Sequence, residues 1–290
     1  MIDTLRREQG FSVARMCHVL DVSKSGYYAW KNRKPSARKL EDERIKVAIK
    51  AAHERGRQTY GPEKIQDELR DVEQMEVGLS RIKRLRRQMK IRCKQVKKYK
   101  ATTDSNHKLP VAPNLLNREF AVSGPNKAWV ADITYIPTDE GWLYLAGIKD
   151  LWNCEIVGYA MSHRMTQDLV GQALFQAVAK RRPGEGLIHH SDRGSQYCSG
   201  SYQKLMRQFK MKPSMSRKGN CWDNAPMESF FGTLKTEMVH HRKYRTRQEA
   251  IAEIREYIEV FYNRQRRHAS LGNLSPAAYW KKNVTRQGAA

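Results

Sequence analysis

Apolar positions in the first hundred residues recur at helical spacing. Ser12 is placed to cap a helix whose Val13, Met16, Cys17 and Leu20 share one face, and Ser23 to cap a second helix through Tyr27, Tyr28 and Trp30. The turn Leu20-Asp21-Val22-Ser23 between them is helix-turn-helix grammar, in which the second helix enters a DNA major groove; an ordinary helical hairpin shares the pattern. A second unit spans about 59–95. Pro62 opens a helix through Ile65 and Leu69, and Ser80 is the expected cap of another, where Ile82, Leu85 and Met89 form one stripe.

The period then changes. Residues 101–126 are polar, carry Pro110, Pro113 and Pro125, and read as a linker. Beyond them, 129–136 and 142–148 read as strands around a turn at 138–141, and 153–161 as a third strand. A helix over about 166–180, a short strand at 187–189, a helix near 201–209 and a strand near Pro213 follow, and 223–265 is helical in two segments. Three consecutive strands followed by alternating helices and strands predict an α/β fold: a mixed five-stranded sheet flanked by helices, preceded by helical, helix-turn-helix-like domains. The expected division is 1–55, 56–100, the linker 101–126, a sheet core over 127–245 and a helical tail over 246–290.

Charge narrows the choice of partner. The chain holds 54 Lys+Arg against 30 Asp+Glu, a formal net charge of +24, and a surface this basic attracts polyanions, most often nucleic acid. The excess is uneven: residues 81–100 carry 11 Lys/Arg and no acid. Arg81, Lys83, Arg84, Arg86, Arg87 and Lys90 surround the apolar stripe with no acid in the stretch to offset their repulsion, which suits phosphate contact better than a solvated face. Five scattered cysteines without a C-x-x-C pair fit reduced thiols and exclude a disulfide framework or structural zinc site. The opening residues lack the apolar core of a signal peptide, and no run approaches the roughly 20 apolar residues that span a bilayer. A soluble cytoplasmic protein with no membrane partner is expected.

Three carboxylates carry the candidate chemistry. Asp132 falls inside Trp-Val-Ala-Asp-Ile-Thr-Tyr-Ile, where an isolated buried carboxylate needs a cation, backbone N–H groups or a metal. Asp192 lies just past a short apolar strand, where ligands gather in open α/β sheets, although a turn-forming Asp before Gly194 would look the same. Glu228 follows a loop, a cap at Asp223 or Asn224, and Pro226, and borders the apolar stripe Met227, Phe230, Phe231, Leu234 and Met238; a helix dipole alone would also favour it. Together, with 59 and 35 intervening residues, they put acids on a strand, beyond a neighbouring strand and on a helix packed against the same sheet. Converging acids without a matching buried base suit hard cations such as Mg²⁺. With a basic surface, that chemistry is in-line displacement at a DNA phosphate using two ions roughly 3.5–4 Å apart.

Asp-Ile-Thr-Tyr-Ile at 132–136, His-Ser-Asp-Arg-Gly-Ser-Gln-Tyr at 190–197 and Asp-Asn-Ala-Pro-Met-Glu-Ser-Phe-Phe at 223–231 resemble the catalytic motifs of bacterial insertion-sequence transposases. The resemblance is to the second-reading-frame catalytic subunit, in the retroviral-integrase-like, three-carboxylate (DDE) superfamily. The 35-residue spacing, Lys235 seven positions after Glu228, the tail at 262–276, Thr-Tyr-Gly-Pro at 59–62 and Gly-Tyr-Tyr-Ala-Trp at 26–30 fit the same family.

The resemblance implies a ribonuclease-H-like core holding two Mg²⁺, with Mn²⁺ able to substitute, through Asp132, Asp192 and Glu228. It implies cleavage at transposon ends and strand transfer by a DNA 3′-OH, with no covalent protein–DNA intermediate. Lys235 would contact a phosphate near the cleaved end, and Asn224 would orient the acid or the DNA. The implied partners are terminal inverted repeats, target DNA, further copies of the chain and a first-reading-frame subunit, in the bacterial cytoplasm at the nucleoid. Two departures stand out: Trp152-Asn153-Cys154 where something closer to Ser-Arg is expected, and no His/Cys zinc module like that of retroviral integrases. Two rival readings are a tyrosine recombinase using Arg264, Arg266, Arg267, His268 and Tyr279, whose cations are crowded into one stretch, and a DNA-binding regulator or partner subunit whose acidic site is idle.

Overall fold

The computed structural model describes residues 2–94 and 110–287. The parts of the basic block, the linker and the tail at 95–109 and 288–290 lie outside the described residues. Three short helices come first: α1 (Ile2–Gln9), α2 (Val13–Val19) and α3 (Lys24–Lys31). Ser12 and Ser23 are caps as expected, their hydroxyls accepting from Arg15 N at 3.3 Å and Gly26 N at 2.9 Å. Val13, Met16 and Cys17 are buried with Tyr27, whereas Leu20 ends the helix and stays exposed.

Helix α4 (Ala37–Arg55) has no counterpart in the sequence reading, because alanines fill half of its buried face: Ile45, Ala48, Ile49 and Ala52. It packs with α5 (Pro62–Asp71) and α6 (Leu79–Gln88) in one cluster with Tyr60, Ile65, Leu69, Ile82 and Leu85. The division expected at residue 55 therefore cuts through a core, and packing separates the helical units before α4 instead. Pro62 opens α5 as expected. Ser80 does not cap α6: Gly78 occupies the N-cap, and the helix has begun by Leu79.

The sheet has the order β3-β2-β1-β4-β5, from β1 (Ala128–Thr138), β2 (Gly141–Asp150), β3 (Ile156–Ser162), β4 (Ile188–Ser191) and β5 (Lys212–Met215). The first three strands pair antiparallel, while β4 pairs parallel with both β1 and β5, giving the expected mixed five-stranded sheet. Residues 153–155, expected at the start of the third strand, lie outside it: a turn covers 151–153 and β3 begins at Ile156. Cys154 there has φ +59°, which no strand position tolerates, and Trp152 packs edge-on against Tyr279 and Trp280.

Helices cover both sheet faces. Helices α7 (Gln167–Arg181), α8 (Ser195–Cys198) and α9 (Gly200–Gln208) bury Leu169, Ala173, Leu174, Tyr197 and Met206 against Trp129, Ala131 and Val157. On the opposite face, α10 (Ala225–Glu237), α11 (Arg247–Glu256) and a π-helical run at Tyr257–Gln265 pack against Val130, Ile136, Leu143 and Leu145. Helix α12 (Pro276–Gln287) closes the described chain. Ala250, Ile254, Tyr257 and Phe261 belong to this second core, so the segment expected as a tail from 246 completes a face of the sheet.

The described part of the linker is likewise fastened down. Leu116 is buried in the α10-side core, and Ser214 Oγ accepts from the amides of Leu115 and Leu116 at 2.9 and 3.3 Å.

Candidate active site

Side chains alternate along β1, so Val130, Asp132 and Ile136 point to the face that carries α10, and Trp129 and Ala131 to the other. Asp132 is half-buried, and its Oδ1 accepts from Ile133 N at 2.8 Å. The parallel ladder pairs Val130 with His190; continued two residues, that register brings Asp192 alongside Asp132 just past the end of β4. Asp192 Oδ1 accepts from Gly194 N at 2.9 Å, a tight turn that aims the carboxylate back toward the strand end.

Helix α10 supplies the third acid. Its N-cap is Asn224, buried, whose Nδ2 donates to Ala131 O at 3.1 Å, so the helix start is tied to the residue before Asp132. Asn224 Oδ1 is buried with no hydrogen-bond partner. Only the Nδ2 of this amide is thus engaged by β1. Met227, Phe230, Phe231 and Leu234 bury against the sheet, leaving Glu228 exposed near the first turn.

The electrostatics bind these groups into one site. Burial pushes the Asp132 carboxyl well above the usual carboxylate range, and the negative charges of Asp192 and Glu228 push it further, against the pull of Ile133 N–H and Lys235. Partial desolvation also raises Glu228. Lys235, two turns beyond Glu228, is buried with its Nζ 4.8 Å from the centre of the Tyr135 ring. Burial lowers its pKa, and Asp132 opposes that shift. Among the described residues, no group of three or more His, Cys, Asp or Glu is drawn together closely enough to hold a metal ion. The acids therefore share one electrostatic site without forming a closed ligand set.

Neighbouring motif residues that resemble chemistry are structural. His189 bonds Tyr202 Oη at 3.0 Å, and His190 bonds Ser214 and Ser216 hydroxyls at 2.8 and 3.1 Å. Burial drops both histidines to a pKa of about 4, so they stay neutral at pH 7. Asp223, one of two expected caps, is fully buried and instead accepts from Arg217, Arg118 and Asn114, including Arg217 Nη2 and Arg118 Nε, both at 2.8 Å. The sequence reading missed this hub; the charged residues Arg217, Lys218 and Asp223 within one short segment were its only local signal. The cations and tyrosine of the tyrosine-recombinase reading do not converge. Arg266 pairs with Glu237, Arg267 with Glu68 and Asp71, and Tyr279 packs on Trp152.

On α6 the acid-free stretch is partly neutralised from elsewhere. Arg81 pairs with Glu41 and Asp42, and Arg84 with Asp42, all at 2.8 Å. Arg86 is buried against Tyr60 O and Cys93. Arg81 and Arg84 are therefore not unpaired cations, because α4 supplies their acids, and Arg86 is buried without an acidic partner in these contacts. Lys83, Arg87 and Lys90 remain exposed and, with Arg92, line an open cleft of about 750 Å³.

A mixed sheet with acids within β1, just past β4 and on the helix crossing them defines an integrase-type core, and comparison with known families agrees. The family model described as "Integrase core domain" matches residues 122–221, a second model with that description matches 228–284, and an "HTH-like domain" matches 39–99. An insertion element IS600 31 kDa protein of Shigella sonnei is 60% identical over 267 residues, 92% of this chain and 98% of that protein. The transposase InsF for insertion sequence IS3A of Escherichia coli (strain K12) is 40% identical over 281 residues, 96% of this chain and 97% of that protein. The chain belongs to the insertion-sequence transposases with an integrase core, a class of polynucleotidyl transferases. The HTLV-2 integrase catalytic core domain in complex with magnesium aligns over 53% of this chain and 96% of its own at 15% identity, with a TM-score of 0.42, too low to carry an argument. Among the described residues, no helix is long and apolar enough to cross a membrane.

Proposed function

We propose that this transposase cuts DNA at the ends of its element and joins the freed 3′-OH to target DNA, with Asp132, Asp192 and Glu228 holding two Mg²⁺ ions for which Mn²⁺ can substitute. The observation that carries the reading is Asp132 itself. It is a carboxylate on the α10 face of β1, in register with Asp192, its pKa raised first by burial and further by both other acids, with Ile133 N–H and Lys235 opposing. A site with this surplus of negative charge fits a hard cation: all three donors are carboxylate oxygens. Bound divalent ions would supply the Lewis acidity that activates the attacking hydroxyl and offsets charge on the leaving 3′ oxygen.

The protein's own groups supply the rest. Asn224 holds the start of α10 to Ala131 and so positions Glu228 relative to Asp132. Glu228, exposed on the first turn, would complete a carboxylate ligand set with Asp132 on β1 and Asp192 just past β4. Lys235 holds a positive charge beside Asp132 and contacts a phosphate near the cleaved end. Lys83, Arg87 and Lys90 bind the DNA backbone along α6, steering the end toward the acids. The acting form is an assembly of several copies on paired ends, joined by a first-reading-frame subunit and working at the bacterial nucleoid.

The test is strand cleavage of DNA carrying the element's own ends, with Mg²⁺ or with EDTA, with product termini mapped. Metal-dependent cuts leaving free 3′-OH groups are expected, and Asp132→Ala or Glu228→Ala abolishes them while DNA binding persists. Covalent protein–DNA adducts formed in EDTA, or cutting that survives those substitutions, would overturn the assignment.

A further inference from the structure

Two motif segments are unused by the acid site: 59–62, between α4 and α5, and 262–276, after the π-helix. They lie about 200 residues apart in the chain and interlock. Arg267 N donates to Tyr60 Oη at 3.1 Å, and that hydroxyl donates to Gln265 O at 3.2 Å. The Arg267 side chain, buried, donates to Glu68 at 2.6 Å and Asp71 at 2.7 Å on α5, and Asn273 Nδ2 donates to Asp67 at 2.7 Å. The preceding residue turns the other way: the Arg266 guanidinium meets both Glu237 carboxylate oxygens at the end of α10, at 2.7 and 2.9 Å. Two consecutive arginines thus hold the α4–α6 unit with one hand and α10 with the other.

The backbone on both sides is shaped for this contact. Arg57 and Gln58 are consecutive non-glycine residues at φ +51° and +65°, a costly conformation that persists only where surroundings impose it. There the Arg57 guanidinium stacks 4.4 Å from the centre of the Phe261 ring and pairs with Glu256, and Gln58 O accepts from Lys94 N at 2.9 Å. On the other side, the nine-residue π-helix Tyr257–Gln265 ends at the contact, and such wide turns are rare and gather at functional sites. Buried ion pairs of this kind add little net stability, but each charge left without its partner is strongly unfavourable, so they specify one arrangement over others.

The arrangement they specify leaves a groove of about 300 Å³ between Thr59 and Lys94 on one side and Ser229, Gly232, Thr233 and Thr236 of α10 on the other. Ser229, the residue after Glu228 on α10, lines this groove. We infer that residues 57–62 and 265–273 form a clasp that fixes the α4–α6 unit in one orientation over the outer face of α10. The clasp sets the span from the exposed cations of α6 to Glu228, and with it the phosphate that is cut. Tyr60, Arg266 and Arg267 are positioning residues in this scheme, which rests on the cleavage reading above.

The test uses the full chain with two readouts. A fluorophore pair at Gln88 on α6 and Lys204 on α9, introduced by non-canonical residues, reports inter-unit distance by energy transfer; end-labelled element DNA with Mg²⁺ reports the cut position. The wild type is expected to give one narrow distance and one main cut. Tyr60→Phe, which removes only a hydroxyl, and Arg267→Met should broaden the distance and lower the main cut's share roughly tenfold, with end binding changed less than about twofold. A broad distance in the wild type, or variants that broaden the distance yet keep a single cut, would overturn the clasp. A wild type that holds one distance and cuts nothing supports the clasp and counts against the cleavage reading instead.

Discussion

Gly147 sits directly across the β1–β2 ladder from Asp132, and a Cβ in its place would lie 3.1 Å from Met227 Cε. The missing side chain is what lets α10 cross the sheet beside Asp132 with Glu228 on the next residue. Gly147→Ala needs only a small shift of a flexible methionine end, and its activity should stay within a few-fold of wild type. Gly147→Val overpacks the contact, costs about 1–3 kcal/mol, and should lower strand cleavage at least tenfold by lifting α10. Thermal unfolding and a cleavage time course on the two variants check this. Equal cleavage by both would show that the close approach does not set the acid geometry.

Asp132 predicts a pH-dependent stability difference. Its folded-state pKa is raised, so the folded protein loses stability relative to the unfolded chain as pH climbs from the ordinary carboxylate range through the raised value. Without divalent metal, Asp132→Asn should therefore melt about 2–4 °C above wild type at pH 8, with the gap closing toward pH 4. Mg²⁺ should raise the wild-type Tm and leave that of the variant unchanged. Melting curves at both pH values, with and without Mg²⁺, decide it; a variant less stable than wild type at pH 8 would mean that Asp132 is stabilised by a partner.

The basic residues of α6 divide by what they touch. Replacing Lys83, Arg87 and Lys90 together by Gln should reduce the slope of log affinity against log salt by roughly 2–3, since each phosphate contact contributes about 0.9. Replacing Arg81 and Arg84 by Gln removes ion pairs to Glu41 and Asp42, and should lower Tm while leaving that slope unchanged. Filter binding across a salt series separates the two sets, and an equal slope change in both would overturn the division.

How much was legible in advance follows from the range of each interaction. Strands β1 and β2, the caps Ser12 and Ser23, and Pro62 are specified by residues within a few positions, and all were readable from the chain. Asp132, Asp192 and Glu228 were readable as candidates because strand, strand end and helix start each have local signatures. Helix α4 was missed because alanine buries without announcing itself as apolar, and Ser80 failed as a cap because Gly78, two residues earlier, takes that position. Long-range pairing was the main loss. Whether Arg84 meets Asp42 or a phosphate, and whether Arg267 meets Glu68 or DNA, depends on contacts 42 and 199 residues apart that no periodicity encodes.

Asp223 shows what such a long-range hub should do when broken. It is wholly buried, and its carboxylate draws together Arg217 beside it and Arg118 and Asn114 from the described part of the linker. Hydrogen bonds from Arg217, with Arg118 adding to them, hold its pKa far below the usual range despite the burial. A depressed folded-state pKa contributes stability that is present above the ordinary carboxylate value and lost as pH falls toward the depressed one. Asp223→Asn should therefore lower Tm by roughly 5 °C or more at pH 7, since it leaves arginines facing a neutral amide, and the difference should narrow steadily below pH 4. Asn224 follows directly and anchors α10 to Ala131, so cleavage should fall with the loss of order at 217–223. Thermal melts from pH 2 to 8, with cleavage at pH 7, test both parts; a constant Tm difference across that range would mean that Asp223 acts through shape and not charge.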